Sequence, residues 1–339
     1  MNSQPEMFNE FIIRPPQEAD IPAIVDLLNA SSLEITGTQD SSVEDYTRTW
    51  RTPGYAAAQD SRIATSADGQ IVAVVHAYAR APYVSNFLWI AVHPAYRGHG
   101  LGTYLTHWGE TRIRERMLDA PPDARVTVRR DALSTYQPAA ELFRNSGYQH
   151  VRSSYTMVIE MDAPPSAPTW PPGIRLQSMA SDQEEAVYRA KQEAFKDHWG
   201  YVDAPFEEIF QRWQYYITSH PHYDPSVFFL AMDGAEIAGL VLCFPKDNEF
   251  PDMAWVDDLG VRRPWRRHGL ALALLHHAFG EFHRRGIKKV GLGVDASSLT
   301  GATRLYEKAG MHVFRQYDTY EKELRPGRDL TTQTITEEQ

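Results

Sequence analysis

The stretch WVDDLGVRRPWRRHGLALALLHH, from Trp255 to His277, contains a predicted strand, a basic turn and the start of a helix, in that order. The strand is apolar and β-prone, but it carries two adjacent carboxylates, Asp257 and Asp258. The first N–H groups of a helix have no internal partner, and the helix dipole adds partial positive charge there. Gly269 lets a phosphate approach the backbone, and Ala271 keeps the next turn small. The order of these parts predicts an anion-binding site at the start of the helix.

The same arrangement occurs a second time, earlier in the chain. The stretch LWIAVHPAYRGHGLGTYLTHWG, from Leu88 to Gly109, again places a strand before a basic glycine turn and a helix. Predicted hairpins around Asp68-Gly69 and Asp233-Gly234 are separated by a similar interval, as are two short helices that end at Gly147 and Gly310. Elements that recur at a nearly constant spacing indicate an internal duplication.

A proline-rich segment separates the two copies. Residues 163–172, APPSAPTWPP, are half proline, so they can neither continue a helix nor join a β-ladder. We therefore predict a first domain over residues 1–162, a linker over 163–172 and a second domain over 173–326. Residues 327–339 have no core pattern and are predicted to form a loose tail.

The pattern Arg/Gln-x-x-Gly-x-Gly/Ala after a strand resembles the coenzyme signature of the GCN5-related N-acetyltransferase (GNAT) family. The resemblance covers nearly the whole chain, and the pairing of two such halves resembles the tandem acetyltransferases that include mycothiol synthase. It implies an α/β (α+β) fold in which each domain has a mixed, mostly antiparallel sheet flanked by helices. It also implies that acetyl-CoA is the donor and that its pyrophosphate binds at the turn. The matching residues are Arg97, Gly100 and Gly102 in the first copy, and Arg266, Gly269 and Ala271 in the second.

The resemblance assigns a coenzyme-binding set in each half. These residues lie at the end of the strand, in the turn and in the first turn of the helix. In the second half they are Leu259, Gly260, Val261, Arg266, Arg267, His268, Gly269, Leu270 and Ala271. In the first half they are Ile90, Val92, Arg97, Gly98, His99, Gly100, Leu101 and Gly102. Ser298 stands where many relatives carry an asparagine that contacts the pantetheine arm.

Acyl transfer from a thioester to an amine needs groups that move protons. The amine arrives mostly as ammonium, with a reference pKa of about 10, and must lose a proton before it attacks. The resemblance implies a strand carboxylate as base, for which Asp257 ranks before Asp258, and a tyrosine as acid, for which Tyr306 stands in the usual place. It further implies that the N–H of Val261, or of its neighbour, polarises the thioester carbonyl. The plainer alternatives are a capping or salt-bridge role for the carboxylates and a core position for the tyrosine.

The first half lacks these proton-moving groups. Leu88 stands where the second half has Asp257, and Phe143 stands where it has Tyr306. Acid–base assistance is worth roughly 10² to 10⁴ in rate, so this half is predicted to be catalytically degenerate. Its glycine turn is intact, so it could bind acetyl-CoA or serve as a scaffold.

Composition restricts the remaining possibilities. The net charge is −10, from 34 basic and 44 acidic residues, which disfavours nucleic acid or an anionic membrane as the main partner. One cysteine, Cys243, excludes an internal disulfide and fits a reducing compartment. The polar N-terminus is unlike a signal peptide, and no apolar run reaches about 18 residues. We expect a cytoplasmic monomer or homodimer without a metal, since His276-His277 has no matching ligand cluster.

The sequence therefore favours an acetyl-CoA-dependent N-acetyltransferase with its chemistry in the second half. The acceptor is expected to be an amine of a small molecule or peptide, bound near Asp197–Tyr201 and an aromatic run that includes Trp213 and Tyr216. Those aromatic residues would equally fit a helix core. The alternative function is a regulatory or structural protein that binds acyl-CoA without turnover.

Overall fold

A computed structural model of the chain describes residues 6–247 and 249–334. The described chain divides into two compact units. The first consists of residues 6–151, Asp203–Glu208 and Asp318–Leu330. The second consists of Arg152–Val202, Ile209–Tyr317 and residues 331–334.

The helices and strands follow the order predicted from the sequence, with several additions. The strands are β1 (Glu6–Phe8), β2 (Phe11–Arg14), β3 (Ser61–Thr65), β4 (Ile71–Tyr78), β5 (Ser85–Val92), β6 (Val126–Leu133), β7 (Gln149–Glu160), β8 (Ile174–Ser178), β9 (Phe228–Asp233), β10 (Glu236–Phe244), β11 (Ala254–Val261), β12 (Lys289–Asp295) and β13 (His312–Arg325). The α-helices are α1 (Ile21–Thr36), α2 (Val43–Trp50), α3 (Ala57–Asp60), α4 (Leu101–Arg116), α5 (Gln137–Asn145), α6 (Glu184–Phe195), α7 (Phe206–Thr218), α8 (Leu270–Arg284) and α9 (Ala302–Lys308).

In the first unit, β1 to β6 lie side by side in chain order, followed by the C-terminal part of β13. Neighbours from β1 to β5 are antiparallel, whereas β5 and β6 are parallel. Alternate residues of β4 face two different cores, because Val75 packs with α4 and α5 while Val74 packs with α1 and α2. Helices therefore cover both faces of this sheet.

In the second unit, the strand order is β7, β12, β11, β10, β9, β8. Here β11 and β12 are parallel, and their neighbours are antiparallel. A Cβ on Gly260 would meet α6 at Ala194, 2.9 Å away, whereas a Cβ on Gly239 would lie 3.2 Å from Leu274 of α8. Helices α6 and α8 thus cover opposite faces, and the predicted mixed sheet flanked by helices is confirmed in both units.

The compact units do not follow the continuous ranges 1–162 and 173–326. Residues Ser154 to Glu160 of β7 pair antiparallel with β12, so they belong to the second unit. Residues 318–325 of β13 belong to the first. The two closing strands are thus exchanged between the units, and sequence order cannot reveal which sheet a strand joins. The predicted linker, residues 163–172, contains no helix or strand.

The chain predicted to be a loose tail is hydrogen-bonded as far as Gln333. The Thr332 N–H donates to Tyr201 O and the Gly200 N–H donates to Thr332 O, both at 2.8 Å. The Trp199 indole N–H donates to the Gln333 side chain at 2.8 Å. These bonds use backbone and amide groups, so the tail needed no apolar pattern to be ordered. Residues 335–339 of that tail lie outside the described residues.

Deletion of residues 331–339 should loosen the segment from Trp199 to Tyr201. The Gly200 N–H would lose its acceptor, and one hydrogen bond is worth about 1 kcal/mol. We expect amide exchange at Gly200 to accelerate by about fivefold. The Met311 amide, bonded to Tyr306 O, is the internal reference. Unchanged exchange at Gly200 would show that the tail does not hold this segment.

Candidate active site

In each unit the two parallel strands pair over only a short length. In the second unit the described register runs from Ala254↔Val290 to Val256↔Leu292, although both strands continue beyond it. From Asp257 onward the edge of β11 facing β12 therefore has no ladder partner. In the first unit the corresponding pairs end at Phe87↔Arg129. An opening between strand ends, lined by unpaired backbone groups, results in both units.

A β-bulge marks the start of the opening in the second unit. Leu242 pairs with Asp258 and Cys243 pairs with Val256, so Asp257 has no opposite residue on β10. The matching ladder of the first unit runs without a shift from Ala73↔Val92 to Tyr78↔Phe87. Strand alternation predicts opposite faces for the two aspartates, but at a bulge this alternation is interrupted.

The two carboxylates at the bulge engage one pair of helices. Asp258 is 5% exposed, and its Oδ2 lies 2.6 Å from Nζ of Lys191, on α6. The hydroxyl of Tyr216, on α7, donates to Oδ1 of Asp257 at 2.9 Å. Helices α6 and α7 pack together through the rings of Tyr188 and Trp213, whose centroids are 5.0 Å apart.

The surroundings of Asp257 favour its protonated form. Burial, followed by the charge of Asp258, raises the pKa of Asp257 to about 7. Burial works against the ammonium of Lys191, but the carboxylates of Asp258 and Asp257 outweigh it and raise the pKa of Lys191. A carboxyl that titrates near neutral pH can act as a general base.

Tyr306 is buried near the start of the closing β-strand. It lies on α9 and is 7% exposed, and burial raises the pKa of its hydroxyl to about 12. The hydroxyl makes no hydrogen bond within the described residues, including none to Asp257. It therefore holds its proton at neutral pH and has a donor to offer.

The turn of the second unit is held by arginine contacts within the protein. Arg266 donates to Val261 O at 2.9 Å and to Ala194 O at 3.0 Å, and it pairs with Asp197 at 2.5 Å. Arg263 also pairs with Asp197, at 2.5 Å. The guanidinium of Arg266 thus fixes the turn, and the first backbone N–H groups of α8 are the groups left to meet an anion.

Asp197 is occupied by these arginines. Its side chain is 3% exposed, and the hydrogen bond from Arg263 is the main reason that the pKa of Asp197 falls to about 2. Asp197 is therefore not available to bind the ammonium of the acceptor, which the sequence predicted to lie near Asp197–Tyr201. Ser298 is also engaged locally, because its Oγ lies 3.0 Å from Thr300 Oγ1 and accepts from the Ala302 N–H at 3.4 Å.

The conformation and exposure of the second turn leave it accessible to an anion. Arg267 and Gly269 have φ values of 67° and 82°, so both lie in the left-handed region. Gly269 is the residue immediately before α8, and no atom lies within 4 Å of a Cβ built on it. The Arg267 side chain is exposed and makes no hydrogen bond or ion pair within the described residues, and His268 beside it is exposed as well. This turn is therefore exposed and carries positive charge.

The turn of the first unit is built alike and is exposed too, but other side chains lie beside it. Arg97 bonds Val92 O at 3.4 Å and Glu34 at 2.6 Å, and Gly100 has φ 83°. A Cβ on Gly100, however, would lie 3.3 Å from the ring of Phe8. The carboxylate of Glu10, in the same β1–β2 hairpin, lies 3.1 Å from His99 Nδ1.

Comparison with known proteins agrees with this geometry. The family model described as "Acetyltransferase (GNAT) family" matches residues 185–311, and a second, "Acetyltransferase (GNAT) domain", matches residues 56–150. A GCN5-related N-acetyltransferase of Sphaerobacter thermophilus is 39% identical, with a TM-score of 0.78 over 96% of this chain and 99% of that one. The chain belongs to the GNAT family. It is an N-acetyltransferase of that family, and the predicted tandem arrangement is confirmed.

Two further relatives show how far the likeness extends. A protein of Thermobispora bispora named mycothiol acetyltransferase is 30% identical over 65% of this chain and 70% of its own length. The tandem GNAT protein from the clavulanic acid biosynthesis pathway is 15% identical, with a TM-score of 0.67 over 94% of this chain and all of that one. At that identity the second likeness concerns the fold alone.

The first GNAT unit has a buried arginine next to the point where β5 and β6 stop pairing. Arg130 follows the last paired residue of β6, is 3% exposed, and donates to Thr106 Oγ1 at 2.8 Å. Its guanidinium lies 4.0 Å from the ring centre of Phe143, the counterpart of Tyr306. In the second unit the residue after the last pair is Gly293, and a Cβ there would have one atom, of Trp255, at 4.0 Å.

Sequence reasoning missed the GNAT site's Lys191 and treated Tyr216 mainly as a core aromatic. The signal for Lys191 was present, because it lies on the buried stripe of α6 with Val187, Tyr188 and Ala194. A lysine on an apolar helix face needs a buried anion as its partner. Tyr216 is 40% exposed. Its position in the sequence did not distinguish it from the neighbouring aromatic residues.

Neither a metal cluster nor a membrane helix is found in the described part of the chain. No group of three or more His, Cys, Asp or Glu is placed to hold a metal ion among residues 6–247 and 249–334. Within the same residues, no helix is long and apolar enough to cross a membrane.

Asp197→Asn should destabilise the second GNAT unit in a pH-dependent way. A pKa lowered in the fold gives stability above the unfolded value of about 4, which is lost as pH falls toward 2. We expect a loss of about 1–3 kcal/mol at pH 7 by denaturant titration, shrinking between pH 4 and pH 2. Asp233→Asn, which removes one bond to the Trp265 indole, is the control. A loss that is independent of pH would contradict the ion-pair explanation.

Proposed function

We propose that the second unit transfers the acetyl group of acetyl-CoA directly to an amine of a small molecule. The observation that carries this is the position of Asp257, at the bulge where β11 and β12 part. The pyrophosphate would bind the N–H groups at the start of α8, and the thioester would enter the opening between the strands. The name of the Thermobispora bispora relative supports a small-molecule acceptor.

Each reacting group has an assigned proton donor or acceptor. Asp257 accepts a proton from the acceptor ammonium, directly or through water, and the free amine then attacks the thioester carbon. Unpaired N–H groups on the edge of β11, in the Leu259–Val261 segment, stabilise the oxyanion. When the C–S bond breaks, the Tyr306 hydroxyl gives its proton to the departing sulfur, and the proton still to be lost by the nitrogen passes to the phenolate. Its raised pKa keeps the phenol protonated until that step.

The first unit, in this proposal, is a scaffold. Phe8 lies beside its turn, the buried Arg130 contacts Thr106 and Phe143, and Leu88 and Phe143 replace the proton-moving groups. The carboxylate of Glu10 beside the turn adds repulsion for a phosphate. One coenzyme per chain is therefore expected.

Asp257→Asn should lower turnover by roughly 10² to 10⁴, since an amide cannot accept the proton. Tyr306→Phe should also lower turnover, while coenzyme affinity stays nearly unchanged in both variants. Thiol release from acetyl-CoA, followed across a panel of aminosugars, polyamines and amino-acid amines, measures the rate. Tyr136→Phe in the first unit is the matched control. Full turnover in Asp257→Asn would remove its role as base.

Matched turn variants test the number of coenzyme sites. Gly269→Asp and Gly100→Asp each place a carboxylate at a left-handed glycine before a helix. Titration calorimetry with acetyl-CoA should give one site per wild-type chain and the same for Gly100→Asp. Gly269→Asp should weaken binding by at least about tenfold, because its carboxylate repels the phosphates. Two sites in the wild type, or lost binding in a folded Gly100→Asp variant, would contradict a closed first unit.

A further inference from the structure

The bulge brings together two carboxylates, and among the described residues one cation, Lys191, pairs with them. Nζ of Lys191 lies 2.6 Å from Asp258 Oδ2, and the Asp258 side chain is buried. Asp257 has no ion pair among the described residues, and it accepts a hydrogen bond from the neutral phenol of Tyr216. The two carboxylates therefore differ in what balances their charge.

This difference decides which carboxylate is able to take up a proton. Two adjacent carboxylates in a partly buried site cannot both ionise at low energy, because like charges repel strongly where water is scarce. The ammonium of Lys191 contacts Asp258 and so balances the charge of that carboxylate. The pKa of the other carboxylate, Asp257, is then raised by burial and by the charge of its neighbour.

We propose that Lys191 is a positioning residue that, by pairing with Asp258, leaves Asp257 as the proton acceptor of the site. The inference rests on the proposed function in one respect, the use of Asp257 as the base. Lys191 itself touches neither substrate nor coenzyme in this arrangement; it acts through Asp258.

The other groups around Asp257 do not replace this effect. Tyr216 donates a hydrogen bond that favours the carboxylate, whereas the charge of Asp247 disfavours it. On β10 the buried thiol of Cys243 has its pKa raised by burial and then by the two carboxylates. Tyr188, on α6, interacts with Lys191 and Asp258, and burial raises its pKa. Lys191 is the cation that lowers the pKa of Asp257, and Arg212 acts with it on Tyr188.

Removing either partner of the ion pair should shift the titration of Asp257 in opposite directions. In Lys191→Met two carboxylates remain without a cation, so the midpoint of Asp257 should rise by at least one pH unit. In Asp258→Asn the repelling charge is gone and Lys191 is left beside Asp257, so the midpoint should fall by at least one unit. A purely structural role for the pair would move both variants the same way.

The midpoint is measured by NMR of the full chain labelled with ¹³C at the aspartate carboxyl carbon, with Asp257→Asn assigning the signal. The wild-type midpoint is expected near 7. Lys191→Arg should restore it, and Arg189→Met, two residues away on the exposed side of α6, should leave it unchanged. Shifts in the same direction, or no shift in a folded Asp258→Asn variant, would overturn the proposal, even where Lys191→Met does not fold.

The pH dependence of turnover separates this inference from the proposed function. If Asp257 is the base, the acid limb of thiol release from acetyl-CoA should move with the NMR midpoint in each variant. Opposite NMR shifts without a matching change in the rate profile would refute Asp257 as base and retain the effect of Lys191 on protonation. An unmoved NMR midpoint refutes the role of Lys191, whatever the rate does.

Discussion

The second unit depends on the point at which two parallel strands stop sharing hydrogen bonds. A ladder that continued past Val256↔Leu292 would satisfy the backbone groups of β11 and leave nothing for a ligand. The strands part, and at the same residue the antiparallel ladder on the other side accommodates an extra residue. The unpaired edge and the aspartate at the bulge are therefore two results of one local irregularity. The turn before α8 adds backbone N–H groups with partial positive charge to a unit that also holds a titratable carboxyl.

The two halves share a fold but differ in the side chains next to the separated strands. Both have the glycine turn, the arginine that fixes it and the separated strands. In the first half a regular ladder and a buried arginine replace the bulge and the open glycine. The same backbone frame can thus enclose either an accessible opening or a filled core, depending on a few side chains.

The local parts of this arrangement could be predicted from the sequence, whereas the parts that depend on tertiary contacts could not. The glycine turns and the element order depend on local pattern, which is visible along the chain. The bulge depends on how β10 and β11 align, and alignment is a tertiary property. Lys191 could be recognised only as a charged residue on the apolar face of α6. Its partner, Asp258, is 67 positions away in the chain. Asp197 looked like a free carboxylate because its two arginines come from a distant turn.

The exchange of closing strands has a consequence for how this protein can be divided. A fragment cut at the proline-rich segment would carry β7 without β12 and would lack residues 318–325. Each piece would then expose an unsatisfied sheet edge, which is a template for aggregation. A fragment that holds one complete sheet must therefore be joined from chain segments on both sides of the proline-rich segment.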